Sequence, residues 1–188
     1  MNTPNKLTIF RMIITPIFLA VFLYKFPYHI LAATLVFSIG CLSDALDGRI
    51  ARKRHQITVF GKLADPVADK MLTTAALLAF MQMQLCSIWI VMIVLTREFI
   101  VTSIRLVASA QGIIIPANIW GKLKTISQMV FTIVIMIMLQ VHASFEFCSF
   151  ETFVSISNAL LWITALLTVV SGAIYLKQSV KLIDFSQQ

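Results

Sequence analysis

Acidic residues are scarce in this chain: eight Asp and Glu stand against fifteen Lys and Arg in 188 residues. Charge of either sign is thin, at 12% of residues, while 59% are hydrophobic. With a mean hydropathy of +0.91, such a chain is too apolar for an ordinary soluble domain and has the composition of a membrane protein. Cysteine is also sparse. Cys41, Cys86 and Cys148 are isolated, odd in number and without CxxC or His/Cys spacing, which argues against a disulfide framework or a zinc site and leaves them as small packing residues. No internal repeat, low-complexity tract or glycine-rich linker interrupts the chain, so residues 1–188 read as one membrane-embedded domain. The opening MNTPNKLTIFRM lacks a short apolar core followed by a small-residue cleavage site, and the first apolar run is expected to be retained.

What is present is a series of apolar runs. They predict six helices over residues 9–26, 29–45, 68–85, 88–110, 123–141 and 153–176. About 20 apolar residues cross a bilayer, so the expectation is an all-α integral membrane protein with six transmembrane helices. Thr3 as N-cap and Pro4 at the first helical position predict an interfacial helix start ahead of the first span. Pro16 removes one backbone donor inside that span. Lys and Arg gather at the N-terminus, the second and fourth connections, the C-terminus and inside the fourth helix, with only Lys25 at the other surface. The positive-inside rule then puts both termini and the segment 44–69 in the cytoplasm. This placement accounts for most of the formal charge of +7 without nucleic acid as a partner.

Segment 44–69, DALDGRIARKRHQITVFGKLADPVAD, holds half of the acidic residues. Asp44 and Asp47 are three apart and Asp65 and Asp69 four apart, so in helical conformation each pair shares a face. Four carboxylates gathered near a membrane repel one another and are costly to desolvate unless cations neutralise them. An all-carboxylate set favours hard ions, Mg²⁺ or Mn²⁺, over zinc, and four suffice for a two-metal site of the phosphoryl-transfer type. Gly48 and Gly61 leave the backbone open to a phosphate or ribose, and Arg52, one turn beyond Gly48, suits bidentate phosphate binding.

The pattern Asp44-x2-Asp47-Gly48-x2-Ala51-Arg52-x8-Gly61-x3-Asp65-x3-Asp69 resembles, without a departure, the signature of the CDP-alcohol phosphatidyltransferases. The resemblance implies that family's six-helix fold and a reaction in which CDP-diacylglycerol gives up its phosphatidyl group and CMP leaves. It further implies that Asp44, Asp47, Asp65 and Asp69 hold two divalent cations, that Gly48, Arg52 and Gly61 contact CDP, and that Asp69 is the base. Homodimerisation and a bacterial inner-membrane location with a cytoplasmic active site belong to the same implication.

The fourth predicted helix contains TREFIVTSIR and the fifth opens with GKLKT. Arg97 and Glu98 lie deep in a predicted span, where ionised residues are costly and suggest function or pairing. Glu98 and Arg105, seven apart, share a face, so Glu98 is expected to orient Arg105. Arg97, Arg105, Lys122 and Lys124 are candidates for a pocket that takes an acceptor phosphate. These segments, with Asn5, Thr8 and Arg11 near the start, resemble the bacterial phosphatidylglycerophosphate synthases, whose acceptor is sn-glycerol 3-phosphate; Asn5 and Thr8 join the expected CDP contacts on that basis. Inositol phosphate and serine are the alternative acceptors.

Blander readings compete. Lys53, Arg54 and His55 suit an anionic leaflet, His29, His55 and His142 suit structural or solvated positions, and Arg97 with Glu98 suits a structural ion pair. A cation transporter would spread acidic residues through the bilayer depth, often in repeated halves. Here they cluster at one face without a repeat.

Overall fold

The computed structural model describes the backbone of residues 3–54, 59–113, 115, 118–145, 149–180 and 182, and the side chains of that set except 3–7, 44–54, 59–66 and 69. Its six helices are α1 (Thr3–Leu23), α2 (His29–Arg54), α3 (Val59–Gln82), α4 (Ile88–Ala110), α5 (Ile119–Phe145) and α6 (Phe150–Val180). The predicted α4 has the observed bounds; the others run longer than their apolar runs. The largest differences are at the end of α2 and the start of α3. Sequence reading places residues 46–67 in a connection, but the helices continue to Arg54 and resume at Val59. Polar residues end the apolar run without ending the backbone hydrogen bonding, which is why hydropathy alone misplaces these boundaries.

Among the described residues, α5 and α6 are long and apolar enough to cross a membrane, while Thr8–Leu23 and His29–Ser43 are shorter apolar runs. Two of the six expected spans therefore meet that measure among the described residues. In α4 the physical reason is visible: Arg97, Glu98 and Arg105 lie inside the helix.

Helix α1 packs against both α2 and α3, α5 against α2 and α6, and α4 against α6 and α3. Contacts of Phe22 with Phe80, Leu31 with Gln140, Ser87 with Asn158 and His142 with Phe153 put the C-terminal part of α1, the start of α2, the end of α3, the start of α4, the end of α5 and the start of α6 at one end of the bundle. Two backbone amides tie that end together: Leu31 N–H donates to Gln140 Oε1 at 3.2 Å, and Ser87 N–H to Asn158 Oδ1 at 3.0 Å. Its core is aromatic. Phe18 stacks obliquely on Phe22 and Phe37 with ring centroids 5.8 and 5.6 Å apart, and Phe22 meets Phe80 edge-on at 6.0 Å. Cys86 closes the α3–α4 turn beside this core, where burial pushes its thiol up to about 12. That makes it a packing group rather than a nucleophile.

Several buried hydroxyls along the helices are satisfied locally. Thr15, Thr34, Thr132, Thr168 and Ser179 each donate to the carbonyl four residues earlier, at 2.7–2.8 Å. Small residues bring helices close within this one chain. A Cβ at Gly40 of α2 would run into the Leu72 side chain of α3, and one at Gly172 of α6 would sit 3.0 Å from Arg97 Cγ of α4. Helix α4 ends in a Schellman turn: Ile113 N–H donates to Ala108 O at 2.8 Å and Gly112 N–H to Ser109 O at 3.2 Å. Gly112 has φ +70°, a conformation that costs glycine nothing.

Candidate active site

At the other end of the bundle, α3, α4, α5 and α6 surround a cavity of about 640 Å³. Its lining includes Lys70, Arg97, Arg105, Lys122 and Lys124, with Glu98 as its one carboxylate among the described residues. The structure thus brings all four sequence-selected cations onto one cavity. Lys122 and Lys124, two apart on α5, both reach it because the cavity is wide; Lys124 is buried and Lys122 exposed.

Glu98 is the hub of this charge. Lys124 Nζ donates to its Oε1 at 2.7 Å, Arg97 Nη1 to the same oxygen at 3.0 Å, and Lys70 Nζ lies 3.9 Å from its Oε2. The Lys124, Arg97 and Glu98 side chains are only 4%, 15% and 17% exposed, so the carboxylate offsets the cost of holding two cations away from water. The expected pairing of Glu98 with Arg105 does not occur. Helical periodicity puts both on one face, but α5 and α3 bring Lys124 and Lys70 closer, and tertiary neighbours win over a partner two turns away. Arg105 and Lys122 line the cavity with no ion pair among the described residues, so their donors are open to a ligand. Arg97 is thus both a member of a structural ion pair and a cavity wall.

Sequence reasoning missed Lys70, Thr102, Asn118, Ser171 and Tyr175, which also line the cavity. Lys70 had a signal: it directly follows Asp69 in α3. It also links the two parts of the candidate site, because the backbone that carries Asp69 borders the cation-lined cavity. Ser171 and Tyr175 sit in an apolar helix where no sequence pattern singles them out.

Of the aspartates, Asp44 and Asp47 fall on one face of α2, and Asp65 and Asp69 on one face of α3, by helical register. The two helices touch each other and share α1 as a packing partner. The aspartate side chains lie outside the described residues, as do those of Asn5 and Arg52; Gly48 on α2 and Gly61 on α3 are described by their helical backbone alone. Among the described residues no group of three or more His, Cys, Asp or Glu could hold a metal ion. The four-carboxylate set in two contacting helices has donor chemistry that fits hard divalent cations. Thr8 and Arg11 are buried on α1, 1% and 3% exposed.

A family model described as CDP-alcohol phosphatidyltransferase matches residues 1–170. The chain belongs to the CDP-alcohol phosphatidyltransferase family. Membership makes it a transferase of phospholipid biosynthesis held in the membrane by helices, in keeping with its all-α, partly apolar architecture. Similar proteins include a Bacillus subtilis CDP-diacylglycerol–glycerol-3-phosphate 3-phosphatidyltransferase, 36% identical over 190 residues that cover 95% of each chain. Proteins of the same name from Rickettsia bellii, 30% identical over 94% of each chain, and Pseudomonas fluorescens, 32% identical over 72% of each, are also similar.

Proposed function

We propose that this phosphatidyltransferase moves the phosphatidyl group of CDP-diacylglycerol to sn-glycerol 3-phosphate, giving phosphatidylglycerophosphate and CMP. The observation that carries the acceptor is the cavity lined by five cations and, among the described residues, one carboxylate. Such a site favours an anion, and the names of the similar bacterial proteins point to glycerol 3-phosphate. Inositol phosphate shares the phosphate; serine does not, and a cation pathway would not be lined this way.

In this reading the acceptor phosphate lies against Arg105, Lys122 and the Arg97–Lys124 pair, which Glu98 holds in place. That anchors the acceptor next to the α3 backbone that carries Asp69. The Asp69 carboxylate takes the proton from the acceptor hydroxyl, whose oxygen bonds to the β-phosphorus. The phosphorus–oxygen bond to CMP breaks, and CMP leaves with its electron pair. Arg52, Gly48 and Gly61, with Asn5 and Thr8, hold the CDP moiety. Asp44, Asp47, Asp65 and Asp69 would hold two divalent cations, Mg²⁺ or Mn²⁺, which when bound supply positive charge against the pyrophosphate. The reading includes six membrane crossings, cytoplasmic termini and active site in a bacterial inner membrane, and a homodimer.

The test is CMP release from CDP-diacylglycerol by the purified protein in detergent, with each candidate acceptor and with Mg²⁺ or Mn²⁺. Turnover selective for glycerol 3-phosphate and abolished by chelation is expected. Selective turnover with serine would retain the aspartate reading and sink the anion cavity. For the base, Asp69→Asn should cost on the order of 10²–10⁴-fold in turnover; near-normal turnover with unchanged metal affinity would remove Asp69 from that role.

A further inference from the structure

Among the described residues two hydroxyls, those of Ser157 and Tyr175, are buried without a hydrogen-bond partner, and of the two only Tyr175 lines the cation cavity. Tyr175 is 4% exposed, on α6. Its hydroxyl is buried with no hydrogen-bond partner, whereas Ser179, one turn on, donates to the Tyr175 carbonyl at 2.8 Å. A tyrosine hydroxyl extends too far from the backbone to bond back to its own helix as Ser and Thr do, so it needs a partner from elsewhere. Left without one, a buried polar group costs stability. A second orphan lies on the same cavity: Arg97 Nε is buried and unpartnered. Gly172, nearly one turn before Tyr175, brings α6 against the Arg97 stem, with only 3.0 Å from a Cβ there to Arg97 Cγ. One short stretch of α6 therefore confines the Arg97 side chain and supplies an unused hydroxyl.

Both orphan groups can donate, and the one carboxylate among the described lining residues is already engaged by Lys124 and Arg97. The partner missing at Arg97 Nε must accept, a tyrosine hydroxyl can donate to the same group, and several oxygens on one anion satisfy two donors together. We infer that Tyr175 is an acceptor-binding residue whose hydroxyl donates to the phosphate of the phosphorylated alcohol. The inference deepens the proposed function and rests on it. It assigns part of the acceptor specificity to the last helix, which the sequence pattern left without a role.

Tyr175→Phe removes only the hydroxyl and keeps the ring. CMP release is measured while glycerol 3-phosphate and CDP-diacylglycerol are varied separately, with Arg105→Ala in parallel and the ligand-free Tm of each protein recorded. The expected result is an acceptor KM raised roughly 10-fold, a CDP-diacylglycerol KM within about twofold of the parent, and a ligand-free Tm that does not fall. An unchanged acceptor KM in Tyr175→Phe while Arg105→Ala raises it overturns the Tyr175 assignment and leaves the cavity reading intact. A raised CDP-diacylglycerol KM alone gives the hydroxyl to the lipid donor's phosphates and also overturns it. A lower ligand-free Tm with an unchanged acceptor KM makes it a packing hydroxyl, again against the proposal. Absence of wild-type turnover with glycerol 3-phosphate takes down the function and this inference together.

Discussion

The two ends of the bundle use the same six helices for opposite purposes. At one end Phe18, Phe22, Phe37 and Phe80 fill the space between α1, α2 and α3, none more than 2% exposed. At the other, α3 to α6 leave about 640 Å³ open and line it with five cations, three of them at Glu98. The first end gains dispersion and apolar burial and asks little of residue identity beyond size. The second holds like charges together, which no folding term favours, and Glu98 offsets that cost for the most buried of them. Stability and ligand binding are therefore separable along the bundle axis.

Substitutions can break that separation or sharpen it. The largest loss of stability is expected from Phe18→Ala, about 3–5 kcal/mol, read as a collapse of Tm in detergent that takes activity with it. Glu98→Gln should cost about 3 kcal/mol, because Lys124 and Arg97 are left without their carboxylate. Adding Lys124→Met should return much of that stability without restoring acceptor affinity; if the single change leaves Tm alone, the ion-pair hub is not structural. Gly172→Ala should lose about 1 kcal/mol, since the crowding of Arg97 costs more than the roughly 1 kcal/mol that alanine gains in a helix. Gly121→Ala meets Arg97 Nη2 only at an ordinary 3.6 Å and should be neutral or stabilising, so equal melting of the two variants would contradict the close α4–α6 contact. Smallest in stability is Arg105→Ala, within about 0.5 kcal/mol, yet its acceptor KM should rise about 10-fold or more. A KM no higher than that of Lys177→Ala would return the cavity to a structural role.

Most of the helices could be read from hydropathy because apolar runs are long and their period is local. Boundaries went wrong where polar residues continue a helix, as from Asp47 to Arg54, since helix propensity and apolarity are different properties. The spaced aspartates and the Arg97, Arg105, Lys122 and Lys124 set were visible as charges placed in apolar surroundings, where charge is costly. Tyr175 was not, because one tyrosine near the end of an apolar helix is ordinary until the hydroxyl's surroundings are known.

By itself, then, the sequence determined six helices, their alternation, the family and the residue types available for chemistry, all of which follow from local spacing along one chain. Tertiary structure alone decided that Glu98 pairs with Lys124 and Arg97 rather than Arg105, that Gly172 makes room for Arg97, and that Tyr175 joins the cavity. Each of these depends on which side chains from different helices come within a few ångströms, and helical periodicity carries no information about the partner helix.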